Sequence, residues 1–152
     1  MTYNEQLQEL VTKYVNANEP WPATARMIAT WAVRNKWWKP QPSSIINQCA
    51  DQISRAMREE YYTDPQGRRV RTKHAATLKS EGEQQTLWAD IRTADHEHME
   101  LAFQQRRRGI VADCHQLKAD VDSYNENNEN DGCFQLSLNF TYDVEELELA
   151  EA

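Results

Sequence analysis

Apolar and polar residues alternate with a helical period at the start of the chain. Tyr3, Leu7, Leu10, Val11, Tyr14 and Val15 fall on one face, and Thr2 followed by Glu5 forms a capping-box pattern. Two prolines in Asn16-Ala17-Asn18-Glu19-Pro20-Trp21-Pro22 forbid continuation. A second helix is expected from about Ala23 to Lys36, with Ala25, Ile28, Ala29, Trp31 and Ala32 turned inward, closing at Trp37-Trp38-Lys39-Pro40-Gln41-Pro42. Ser43 or Ser44 is placed to cap a third helix running to about Glu60. Its apolar stripe is Ile46, Cys49, Ala50, Ile53 and Met57. The opposite arc carries Ser44, Gln48, Asp51, Arg55 and Arg58.

The period then changes from helical to alternating. Asp64-Pro65-Gln66-Gly67 is turn chemistry, because proline presets φ and glycine accepts the closing conformation, and β-formers flank it on both sides. A hairpin is expected, with Arg69, Arg71 and Lys73 on one face of the return strand and Arg68 at the tip. Lys79 to Gln85 contains a glycine and no apolar residue, and residues 80–92 read as a linker.

Residues 93–124 read as one long helix, ~45 Å if unbroken, with a stripe of Met99, Phe103, Ile110, Cys114, Leu117, Val121 and Tyr124. Phe103, Ile110, Leu117 and Tyr124 are seven apart, as in a heptad seam, and so narrow a stripe needs a partner. The partner is the first domain, another protein, or a second copy, giving a homodimer through residues 99–124. Arg106-Arg107-Arg108-Gly109 interrupts the seam, either neutralising acidic neighbours or adding a phosphate contact. In residues 125–152 a polar loop precedes Phe134, Leu136, Leu138, Phe140 and Tyr142, which alternate with polar residues as in an amphipathic strand, and an acidic tail follows.

Charge sharpens this division. The chain has 152 residues and a formal charge of −7, which by itself argues against a polyanion partner. Residues 1–79, however, hold twelve Lys and Arg against seven Asp and Glu (+5), whereas residues 80–152 hold five against seventeen (−12). The cations gather on the hairpin and third helix. Three widely spaced cysteines suit a reducing compartment, and the N-terminus has neither the basic start nor the apolar stretch of a signal peptide, so a cytoplasmic protein is expected. No apolar run approaches membrane-spanning length, so no membrane partner is expected.

Helix, helix, proline-rich turn, helix and basic hairpin within residues 1–79 resembles the winged helix-turn-helix superfamily in element order. The fold expected is mainly α with a small β component: a winged helix-turn-helix, a long helix and a C-terminal strand. The resemblance implies that the third helix enters the major groove of double-stranded DNA and that the wing lies along the backbone. Ser44, Asn47, Gln48, Gln52 and Arg55 then become groove-facing residues, and Arg68, Arg69, Arg71 and Lys73 phosphate contacts. Asn and Gln suit adenine, Arg suits guanine, and grouped cations suit phosphates. Trp21, Trp31, Trp37 and Trp38 are read as core and corner packing. The stretches Asp64 to Arg69 and Leu87 to Thr93 also resemble a bacterial protein family that brings no activity with it.

Gln135-Leu136-Ser137-Leu138-Asn139-Phe140 looks like the short peptides that dock on the bacterial replicative sliding clamp, and Gln84-Gln85-Thr86-Leu87-Trp88 is a looser echo. Gln135, Leu136, Leu138 and Phe140 are the partner-binding candidates, set against an ordinary strand. No Gly-rich phosphate loop, Gly-x-Ser-x-Gly or His-Glu-x-x-His motif occurs. Asp95-His96-Glu97-His98 splits its histidines between helix faces, as Cys114-His115 does its pair, so no metal, cofactor or enzymatic role is expected. A protein-interaction adaptor is the alternative to DNA binding.

Overall fold

The computed structural model describes residues 1–41, 44–128 and 132–151. Five helices and four strands follow in the order α1 (Tyr3–Asn16), α2 (Ala25–Arg34), α3 (Ile45–Arg58), β1 (Tyr61–Thr63), β2 (Arg69–Arg71), β3 (Lys73–Ser80), β4 (Glu83–Asp90), α4 (His96–Asn127) and α5 (Thr141–Glu151). The chain is mainly helical with two small antiparallel β-sheets, β1–β2 and β3–β4. It divides into two compact units, Met1–Arg55 and Ala56–Ala152.

In the first unit, the capping box forms as expected: the Glu5 N–H donates to Thr2 Oγ1 at 3.1 Å and the Thr2 N–H to Glu5 Oε2 at 2.7 Å. α2 is capped by Thr24, whose Oγ1 accepts from the Met27 N–H at 3.0 Å. α1 and α2 pack through Tyr14, which is buried, donates from its hydroxyl to the Pro20 carbonyl at 2.7 Å, and meets Trp31 edge-on at 5.5 Å between ring centroids. Trp21 is tilted against the same ring at 6.5 Å, Trp38 Nε1 donates to the Tyr3 hydroxyl at 2.9 Å, and Lys13 lies 4.1 Å over Trp37. The tryptophans therefore brace helix junctions, although Trp21 and Trp37 remain exposed.

α3 contributes no buried residue, and Ile45, Ile46 and Ile53 on it are exposed. The Ser44 hydroxyl donates back to the Gln41 carbonyl at 2.6 Å. Ser43, the other cap candidate, lies outside the described residues.

The second unit holds both sheets. β2 and β3 are separated by Thr72 alone, which is buried and changes partner: its N–H donates to the Glu60 carbonyl, and its own carbonyl accepts from the Ile91 N–H, both at 2.9 Å. The expected linker is β4, paired with β3 from Lys73↔Asp90 to Ser80↔Glu83. Its polar half reads as a linker because the hairpin projects into solvent there, and residues 78–87 are all exposed. Glu81 and Gly82 both have positive φ, 52° and 84°, as two-residue hairpin turns of type I′ require.

α4, at 32 residues ~48 Å long, packs its first three turns on β3. Met99 and Ala102 are buried there, and the Gln105 amide clasps the Thr77 backbone, donating to its carbonyl at 2.8 Å and accepting its N–H at 2.7 Å. Farther along, Phe103, Ile110, Leu117 and Tyr124 are exposed.

The expected C-terminal strand is absent: residues 132–140 carry no regular secondary structure and α5 begins at Thr141. Alternation alone does not make a strand, which needs a neighbouring edge for its backbone groups. Here the Asn125 side-chain amide takes that place, donating to the Phe134 carbonyl and accepting its N–H, each at 2.9 Å. The Asn139 carboxamide oxygen then accepts from the Thr141 N–H and hydroxyl at the entry to α5. No helix among the described residues is long and apolar enough to cross a membrane.

Candidate nucleic-acid interface

Two surfaces carry the residues singled out by the sequence. The first is the polar face of α3. Asn47, Gln48, Gln52 and Arg55 lie at helical spacing, are exposed, and make no side-chain hydrogen bond among the described residues; Ser44 is half-buried at the helix entry. Three amides and one guanidinium thus stand along one helix face with their donors and acceptors available. Asp51 lies on the same face as its acidic member.

The second surface is the β1–β2 hairpin. Its register pairs Tyr61 with Arg71, Tyr62 with Val70 and Thr63 with Arg69. The turn is organised by Asp64: its Oδ1 accepts the N–H groups of Gln66 at 3.0 Å and Arg68 at 2.8 Å, and its backbone N–H donates to the Arg68 carbonyl at 2.9 Å. Gly67 closes the turn at φ 85°. These bonds, led by the Arg68 backbone N–H, hold the Asp64 carboxyl below its ordinary value.

The four expected wing cations have different surroundings. Arg68 bridges Asp64 through Nε at 2.8 Å while its side chain stays 72% exposed. Arg69 is exposed and lies 4.0 Å over the Tyr61 ring, a stacking that fixes the guanidinium on the hairpin face. Arg71 is half-buried, and its Nε is enclosed. Lys73 belongs to β3, beyond the Thr72 crossover, and is neutralised by Glu60 at 3.0 Å and Asp90 at 3.8 Å. The expected single row of Arg69, Arg71 and Lys73 is therefore broken, because the strand exchanges sheets at Thr72. Arg68 and Arg69 are its exposed cations.

Two features were not singled out from the sequence. Arg92 makes a two-pronged bond to Asp90, through Nε at 3.0 Å and Nη2 at 2.8 Å, and also receives the Asp90 carboxylate at its own backbone N–H at 2.9 Å. These hydrogen bonds hold the Asp90 carboxyl far below the usual carboxylate range. Arg92 also lies 4.7 Å over Tyr62. The other is an open cleft of 810 Å³ beside the hairpin, lined by Gln66, Gly67, Arg68, Arg69 and Val70 and by Glu148 and Glu151 of α5. The acidic tail thus shares a cleft with the two exposed hairpin cations, Arg68 and Arg69.

Among the remaining candidates, His98 Nε2 donates to the His74 carbonyl at 3.0 Å while His96 is exposed, so the two face different surroundings. Gln135, Leu136, Leu138 and Phe140 are all exposed in the irregular segment before α5. No protein-family model, curated protein or solved structure matches this chain.

Proposed function

We propose that this chain is a non-enzymatic DNA-binding protein of winged helix-turn-helix type, acting in transcriptional regulation or as an accessory factor in DNA metabolism. The observation that carries this reading is the state of the α3 face: Asn47, Gln48, Gln52 and Arg55 are exposed together, with no side-chain hydrogen bond to the described protein. Such a row suits the edges of base pairs in a major groove, where amides read adenine and guanidinium reads guanine. Arg68 and Arg69 supply a second, sequence-independent contact to phosphates from a turn that Asp64 preorganises.

Two variants separate these roles. Arg69→Ala lowers duplex affinity by roughly tenfold at low salt, across all sequences alike. Gln48→Ala with Arg55→Ala instead reduces discrimination between sequences. Equal binding by wild type and both variants would exclude the reading.

A protein-interaction adaptor is favoured by one observation of its own: Gln135 to Phe140 is exposed and free of any sheet ladder, as a clamp-docking peptide must be. A peptide spanning those residues binds the sliding clamp if this reading holds, and Gln135→Ala with Phe140→Ala abolishes the binding; an inert peptide excludes it.

A further inference from the structure

α4 runs on well past the sheet that holds it. Among the described residues β3 is the element packed broadly on it, at Met99, Ala102 and Gln105. From Ile110 to Asn127 the helix continues for eighteen residues, a length that is marginal in water without a packed face. That length carries an apolar stripe which stays open: Ile110, Val111, Leu117 and Tyr124 are 54, 51, 44 and 42% exposed. Phe103, Ile110, Leu117 and Tyr124 recur every seven residues, with Arg107 and Val121 at interleaved positions, which is the spacing of a two-helix seam. Within the chain, aromatic partners meet the stripe at its two ends, His74 with Phe103 at 5.5 Å and Phe134 with Tyr124 at 5.4 Å between ring centroids.

Charge selects the occupant of that stripe. Arg106, Arg107 and Arg108 stand near its start, whereas Asp113, Asp120, Asp122 and Glu126 follow along its second half. The three arginines are exposed and have no carboxylate partner among the described residues, whose bridges engage Arg68, Lys73, Arg92 and Lys118. A second copy lying antiparallel brings the basic end of each α4 against the acidic end of the other. On one flank of the stripe Arg106, Asp113 and Asp120 are themselves seven apart, so a twofold axis beside Asp113 sets Arg106 against Asp120 of the other copy twice. Arg107, inside the stripe, then lays its stem against Leu117 of the other copy. In a parallel pair Arg107 would instead face its own copy across the seam, a repulsion at an enclosed position. The antiparallel pair has one like-charge meeting on this flank, Asp113 with its copy at the axis.

We propose that this chain forms an antiparallel homodimer through the open stripe of α4, from Phe103 to Tyr124, with Arg106 paired to Asp120 of the second copy on each side of the axis. The dimer is measured without nucleic acid, so its failure and the failure of the DNA reading are separate results. The test is sedimentation equilibrium of the full chain over a concentration series at low salt, where a dimer mass is expected. Ile110→Asp, at an exposed site beyond the β3 contact, gives a monomer in which the Thr77 amide keeps its exchange protection. Arg106→Glu weakens the dimer roughly tenfold, since each change counts twice by symmetry, and Arg106→Glu with Asp120→Arg restores it to within about threefold. Asp113→Asn removes the like-charge meeting and tightens the dimer about twofold. Parallel pairing sets Asp113 beside Lys118 of the other copy, so there the same change would weaken it. A monomer throughout the soluble range, a dimer indifferent to Ile110→Asp or to Arg106→Glu, or a dimer weakened by Asp113→Asn overturns the proposal.

Discussion

Asp64 holds Arg68 at three points: its Oδ1 accepts the Arg68 backbone N–H and its Oδ2 the Arg68 Nε–H, both at 2.8 Å, while its own N–H donates to the Arg68 carbonyl at 2.9 Å. One carboxylate therefore shapes the turn and aims a cation that stays largely exposed, its Nη2 donating to Gln66 Oε1 at 3.3 Å. Asp64→Ala is expected to speed amide exchange at Gln66 and Arg68 and to weaken duplex binding, while α1 and α2 keep their exchange protection. Unchanged exchange at Arg68 would contradict this role.

The same carboxylate gives a pH dependence. Its folded-state value is depressed, so its contribution is complete above the ordinary value of 3.8 and is lost as pH falls toward the folded value. Asp90, depressed mainly by the Arg92 side-chain and backbone bonds, acts in the same direction. Acid titration followed at the Arg68 and Arg92 amides should show the hairpin loosening below about pH 4 and unchanged from there to neutrality.

His74 acts at a higher pH. Burial depresses its value, which means that the unfolded chain binds the extra proton first, so stability is complete above the ordinary histidine value of 6.5 and declines as pH falls below it. The charged and titratable groups facing it are Arg71 at the crossover and His98 and Arg106 on α4. His74→Gln should flatten the fall in melting temperature between about pH 6.5 and 5; an unaltered profile would assign that fall elsewhere.

Gln105 is the polar pin between α4 and β3. Gln105→Ala leaves the Thr77 N–H and carbonyl without their side-chain partners and is expected to cost about 2 kcal/mol of unfolding free energy in denaturant titrations. Gln105→Glu keeps the acceptor and loses the donor, and should fall between wild type and alanine.

Glu148 and Glu151 line the cleft that also holds Arg68 and Arg69. Their replacement by Gln should raise duplex affinity roughly two- to fivefold at low salt, the worth of one or two screened charge pairs. The gain should vanish at high salt.

Much of this was legible in the residues. The capping box at Thr2 and Glu5, the α1, α2 and α4 helices and the Asp-Pro-Gln-Gly turn are local signals that formed close to the expected positions, whereas of the stripes expected to face inward only Ala32 on α2 and Met99 on α4 are buried. The β4 strand was not legible because its distal half is solvated on both faces and lacks alternation; only Glu81-Gly82, with its paired positive φ values, marks the turn. The alternation from Phe134 to Tyr142 misled for the opposite reason, since periodicity records which side chains share a side and not whether an edge is available to pair. The surroundings of the basic residues from Arg68 to Lys73 were also invisible: the Thr72 exchange of partners, which sends Lys73 to Glu60 and Asp90, depends on a long-range bond to Ile91.

The proposed binding of duplex DNA by exposed α3 and hairpin side chains is tested most directly by equilibrium binding of the full chain to a duplex over a series of salt concentrations. With Arg55, Arg68 and Arg69 each meeting a phosphate or base edge, the logarithm of affinity should fall with the logarithm of salt at a slope of about −2 to −3. Arg69→Ala should make that slope shallower by about one. Absence of binding at low salt, or binding whose strength does not change with salt, would contradict the account.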